Sequence, residues 1–190
     1  MWYNTLNYVW EYVQNKKEGV YLRILGIDPG YAIVGYGVVD YDGLRFNTVG
    51  FGAITTPSDY AFHDRLEIIY KDMISIIEKY KPDALSIERL YFNTNTTTAI
   101  DVAQARGVIL LASHQNGLSV NEYTPLQVKQ SITGYGKAEK RQVMEMVKSF
   151  LNLKAVPKPD DTADALAIAI CHGHSAGNIY GKLSTEVKKK

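Results

Sequence analysis

The chain has 190 residues, 46% hydrophobic and 22% charged, enough for one domain with a substantial core. Its 21 Lys and Arg against 20 Asp and Glu leave a net charge of +1, so total charge announces no partner. No apolar run is long enough to span a bilayer and none carries a secretory pattern; a single cysteine, Cys171, excludes an internal disulfide framework and points to a reducing, cytoplasmic setting.

Residues 1–20 stand apart. Trp2, Leu6, Val9, Trp10 and Val13 recur at helical spacing, which predicts an amphipathic extension and a short linker ahead of a main domain over 21–175. The apolar run 22–27 predicts the first strand, which ends at Asp28. Pro29 cannot donate to a ladder, and Gly30 suits a tight turn. A second strand follows over 34–41. Asp42-Gly43 is a hairpin signal, so 44–54 is read as a third strand, antiparallel to the second. Phe62, Leu66, Ile69, Met73, Ile76 and Ile77 mark an amphipathic helix over 60–80. The run 84–87 is a short buried strand that ends in Glu88. A threonine-rich loop then leads to a helix over 98–114, whose Ala99, Ala103, Ala105, Gly107 and Ala112 permit close approach of another helix. A fifth strand over 118–123 precedes Thr124-Pro-Leu-Gln127, a capping box with proline at the first helical position. The short helix it opens runs to 132, a basic helix spans 137–150, and a buried helix spans 161–171. The tail, 176–190, is basic and is expected to be disordered. This order predicts an α/β fold: a mixed five-stranded sheet of a three-strand antiparallel meander plus parallel strands, flanked by helices.

Four acids carry the chemistry. Asp28 and Glu88 end two hydrophobic strands, and Asp161 and Asp164 lie at i and i+3 at the start of an apolar helix, so they share a face. Helix capping accounts for one of that pair well and for both moderately, and accounts for neither strand acid. Converging carboxylates repel, and divalent cations relieve the repulsion; an all-oxygen site favours magnesium or manganese over zinc. Two such ions about 4 Å apart would polarise a phosphodiester, activate water and stabilise the leaving oxygen. Between 129 and 158, Lys129, Lys137, Lys140, Arg141, Lys148, Lys154 and Lys158 face only Glu139 and Glu145, a local balance of +5 suited either to phosphate binding or to plain solvation. His172 and His174 lack the partners of a zinc site and read as a feature of a helix C-terminus. Cys171 reads as an inert core thiol, and Asp160 as a cap or an outer partner of the acids.

The motifs resemble those of the RuvC-type Holliday-junction resolvases, within the ribonuclease H-like superfamily. They are Leu-Gly-Ile-Asp-Pro-Gly (25–30) with Gly35-Tyr-Gly-Val38, Ser-Ile-Glu-Arg (86–89) followed by Tyr91-Phe92, Ala-Gln-Ala-Arg-Gly (103–107), Gln-Val-Lys-Gln (127–130), the segment 134–140, and Asp161-Thr-Ala-Asp-Ala-Leu-Ala-Ile-Ala169. The likeness covers about residues 22–175. It implies a homodimeric, magnesium-dependent endodeoxyribonuclease that cuts four-way junction DNA by paired symmetric incisions, leaving 5′-phosphate and 3′-hydroxyl ends. Two Mg2+ per site are implied, with Mn2+ able to substitute. By motif position the metal-binding acids are Asp28, Glu88, Asp161 and Asp164; some relatives carry histidine at the position of Asp161. Lys129 and Lys140 match lysines that contact the DNA backbone, with Lys137 a weaker candidate. Tyr91, with Phe92 beside it, falls where the family places an aromatic that stacks near the branch point. The helix 98–114 matches the dimer helix. The extension 1–20 lies outside the resemblance. A nuclease acting on flaps or RNA–DNA hybrids and a non-catalytic junction-binding module remain as alternatives, and partnership with a branch-migration helicase complex is left open.

Overall fold

A computed structural model of the chain describes residues 21–90 and 96–187. The expected extension over 1–20 and the aromatics Tyr91 and Phe92 lie outside the described residues. Five strands, β1 (Leu22–Asp28), β2 (Ile33–Tyr41), β3 (Phe46–Thr55), β4 (Ala84–Glu88) and β5 (Ser119–Tyr123), form one sheet in the order β3-β2-β1-β4-β5. The β1/β2 and β2/β3 pairs are antiparallel, and β1/β4 and β4/β5 are parallel. This is the expected mixed sheet of the ribonuclease H-like class.

Helices α1 (Phe62–Tyr80) and α2 (Thr96–Gln115) cover one face of the sheet; α3 (Pro125–Thr133), α4 (Lys140–Phe150) and α5 (Asp160–Val187) cover the other. The division follows from strand alternation. In β1, Leu25 and Ile27 enter the core under α1 and α2, while Leu22 and Ile24 enter the core under α5. Gly26 continues the second row. A Cβ there would lie 2.1 Å from the Ala165 carbonyl oxygen, so this glycine is what lets α5 lie against the strand. Asp28 is next in that row.

Most boundaries fall within two residues of the sequence reading, and three of the differences have a physical reason. The third strand begins at Phe46, not Leu44, because the Asp42 carboxylate accepts hydrogen bonds from the Leu44 and Arg45 amides and holds both in the turn. Helix α4 begins at Lys140, not Lys137. The Glu139 amide donates to the Gln142 side chain at 3.0 Å, which caps the helix and leaves Lys137 in the preceding turn. Helix α5 runs to Val187, past the expected end at Cys171 and through most of the tail read as disordered. No proline interrupts 160–187, and glycine alone weakens a helix by only about 1 kcal/mol. The capping box at Thr124 is present: its hydroxyl accepts from the Gln127 amide, and the Gln127 side chain accepts from the Thr124 amide.

Candidate active site

The two strand acids converge because of register. β1 and β4 are parallel neighbours with Gly26 opposite Ser86 and Ile27 opposite Ile87, so Asp28 and Glu88 end adjacent strands at one level. Ser86 lies on the α5 side, where its hydroxyl donates to the Ile168 carbonyl at 2.8 Å. Glu88, two residues on, projects the same way as Asp28. Helix α5 brings the second pair. Asp161 packs its main chain on β2 at Gly35, the residue opposite Asp28, where a Cβ would meet the Asp161 carbonyl oxygen at 2.0 Å. Asp164 follows one turn later.

Asp28, Glu88 and Asp164, together with Lys129 and Lys140, line a cavity of about 220 Å³. Its apolar wall includes Val128, Val143 and Ile168. Asp161 is not among the residues that line it, and its charge still reaches Asp28. Lys140 Nζ is 2.8 Å from Asp164 Oδ2 and 3.9 Å from Asp160 Oδ2. Asp160 opens α5 and also faces Lys158 at 3.7 Å, so it is a surface ion-pair partner at the rim. Lys137 is exposed and does not line the cavity.

The electrostatics record crowding of like charge. Burial, then the charges of Asp164, Glu88 and Asp161, push the Asp28 carboxyl up from 3.8 to about 8, against the pull of Lys140. Burial and Asp164 raise Glu88 as well, while Lys129 and Lys140 oppose the rise. The Asp164 carboxylate holds the Lys140 ammonium above its ordinary value. Among the described residues, no three Asp, Glu, His or Cys side chains stand close enough together, as placed, to hold a metal ion. The carboxylates instead line an open, all-oxygen cavity, a donor set that suits a hard divalent ion which keeps water and substrate oxygens in its shell.

The rival residues are accounted for elsewhere. His172 is buried, its Nδ1 lies 2.8 Å from the Tyr123 hydroxyl, and burial pushes its pKa down to about 4. His174 pairs with the Ser131 hydroxyl and meets Phe46 and Phe150 edge-on. Both stand inside α5 and not at its C-terminus, where the sequence pattern places them, because the helix continues to Val187. Cys171 is buried, with its thiol raised to about 11, which fits the reading of an inert core thiol.

The family model for crossover junction endodeoxyribonuclease RuvC matches residues 24–172. The chain belongs to the RuvC family. It is 57% identical over 152 residues to the RuvC of Ruminiclostridium cellulolyticum, covering 80% of this chain and 92% of that protein. The structure is similar to Thermus thermophilus RuvC, with a TM-score of 0.76 and 34% identity over 82% of this chain and 95% of that one. It is also similar to T. thermophilus RuvC in complex with a Holliday junction substrate, with a TM-score of 0.75 and 31% identity over the same shares.

One feature of this RuvC family member was missed in the sequence. Arg106 donates through Nε to the Glu88 carbonyl at 3.3 Å and through a terminal nitrogen to the Glu122 carboxylate, whose other oxygen lies 3.6 Å from Arg89. Arg89 and Arg106 both stand inside recognised motifs, but they share no local periodicity with Glu122. The pairing of β4 with β5 and the packing of α2 against β5 bring the three together.

Proposed function

We propose that the protein is a structure-selective endonuclease that resolves four-way DNA junctions. The observation that carries this reading is the cavity at the paired ends of β1 and β4, where three carboxylates meet two lysines. It is supported by family membership and by the likeness to the T. thermophilus RuvC that binds a Holliday junction substrate.

Asp28, Glu88, Asp161 and Asp164 would hold divalent cations, Mg2+ or Mn2+. Such ions, when bound, activate water and stabilise charge on a phosphodiester in hydrolysis. The chain's own groups do the rest. Burial on the α5 side of the sheet fixes the Asp28 carboxylate and keeps bulk water from screening it. Lys129 and Lys140 put positive charge beside acids that would otherwise repel the DNA backbone. Lys140 neutralises Asp164 and can exchange that partner for a phosphate oxygen. Exposed Lys137 offers a more distant backbone contact, and Tyr91 and Phe92 are proposed to stack near the branch point.

The protein is proposed to act as a homodimer. Helix α2 exposes Ile100 (66%), Ala103, Gly107 and Leu111 (52%) along one stripe. Their spacing of three and four residues is that of a helix-packing face, and a Cβ added at Gly107 would meet nothing within 4 Å. A two-fold dimer presents two cavities to a symmetric junction, so one fold makes paired incisions.

The test is a substrate panel. Labelled mobile four-way junction, matched duplex, flap and RNA–DNA hybrid are incubated with the protein and Mg2+, and the cuts are mapped. The expected result is paired symmetric nicks on the junction with little cutting of the others. Preferential cutting of the flap or the hybrid would move the chain to a nuclease of other specificity.

A further inference from the structure

Arg106 is buried work for a charged residue. It sits on α2, its side chain is only 15% exposed, and the neighbouring turns are filled by Ala105, Ile109 and Ala112. Packing needs no guanidinium there. What uses the fork is a pair of acceptors on two different strands, the Glu88 main-chain carbonyl on β4 and the Glu122 carboxylate on β5. A planar fork serves both at once from separate nitrogens in one fixed geometry, whereas a lysine offers a single ammonium on a flexible stem.

The strand ends explain why Glu88 needs that donor. β1 ends at Asp28 and is followed by Pro29; β5 ends at Tyr123, with Pro125 two residues beyond. Neither proline has an N–H to extend a ladder past the end of β4. Arg89 still donates to the Tyr123 carbonyl at 2.8 Å, which ties the next residue to β5. The Glu88 carbonyl draws its side-chain donor from a helix on the opposite face of the sheet from the cavity.

We propose that Arg106 is a positioning residue: by clamping the Glu88 main chain to Glu122 and α2, it holds the Glu88 carboxylate at the place where it meets Asp28 and Asp164 around a divalent cation. The proposal rests on the reading of Glu88 as a metal ligand. It also gives α2 a second task. The exposed stripe Ile100, Ala103, Gly107 and Leu111 and the clamp Arg106 belong to one rigid helix, so a shift of that helix at a subunit interface would be felt at Glu88.

The test measures Mn2+ affinity of the DNA-free protein by electron paramagnetic resonance for wild type, Arg106→Ala, Arg106→Lys and Glu88→Gln. Melting temperature and junction binding in EDTA are measured beside it. Outer partners of metal ligands typically contribute tenfold or more in affinity, so Arg106→Ala is expected to bind Mn2+ about tenfold more weakly. Its kcat on junctions falls while KM and EDTA binding stay at wild-type values, and Arg106→Lys recovers only part of the loss. If Arg106→Ala melts below the assay temperature, Arg106→Met, which keeps the length of the side chain without an N–H donor, is read in its place. Wild-type Mn2+ affinity in a folded Arg106 variant, with affinity lost in Glu88→Gln, overturns the positioning role alone. Unchanged affinity in Glu88→Gln as well overturns the metal-ligand reading beneath it.

Discussion

Asp28 is held in a state that costs stability. Its carboxyl is raised from 3.8 to about 8, so the folded protein retains a proton that the unfolded chain releases. Stability of the metal-free protein is therefore fullest at low pH as far as this group is concerned, and falls as pH rises from about 4 to about 8. His172 has the opposite sign. Lowered from 6.5 to about 4, it stays neutral when folded, and its contribution is lost as pH falls through that window. Thermal melts in EDTA should therefore decline between about pH 6.5 and 8, where Asp28 acts and His172 no longer does. Asp28→Asn should flatten that decline and melt a few degrees higher at pH 8, at roughly 2–4 °C per kcal/mol for a chain of this size. A decline of equal slope in the variant would show that other groups cause it. Lys140 makes the second residue-scale case. Lys140→Ala should weaken junction binding and reduce the slope of log affinity against log salt by about one. An unchanged slope would take Lys140 off the DNA.

At the scale of elements, the site is a consequence of how closely α5 approaches the sheet. Gly26 and Gly37 let Ala165, Leu166 and Ala169 touch the strands, and Gly35 lets the first turn of α5 reach β2 opposite Asp28. Gly35→Ala should push that turn outward, destabilise the fold by about 1–3 kcal/mol and leave it cooperative. Displacing Asp161 and Asp164 by about an ångström should lower the cleavage rate about a hundredfold. A folded Gly35→Ala protein of normal rate would contradict the link between helix approach and activity. The strands, the capping box at Thr124 and the acids at strand ends were legible because alternation, capping and abrupt stops are local signals. The end of α5 was not: nothing between Cys171 and Val187 forces a helix to stop, and glycine and serine lower helix propensity without forbidding it. The N-terminus of α4 was misplaced by three residues because a glutamate at the cap is a weaker signal than serine or aspartate. The Arg106–Glu122–Arg89 cluster was invisible because it depends on β5 lying beside β4, a non-local fact.

For the molecule as a whole, one sheet divides two tasks between its faces. The α5 face carries the cavity with its acids and lysines, and the α2 face carries the apolar stripe proposed to join two copies. Leu111→Glu should place a charge in that seam and convert a dimer to a monomer in sedimentation equilibrium at micromolar concentration. The monomer should lose paired incision, and a variant that stays dimeric would place the seam elsewhere. Among the described residues no helix is long and apolar enough to cross a membrane. The measurement that bears most directly on the central claim is Mg2+-dependent cleavage of a mobile four-way junction by wild type and by Asp28→Asn, with cut sites mapped and binding measured in parallel. The account predicts paired symmetric nicks from wild type, none from Asp28→Asn, and junction binding in the variant that is equal or tighter, because a negative charge facing phosphates has been removed. Cleavage by Asp28→Asn at the wild-type rate, or loss of binding in the folded variant, would contradict it.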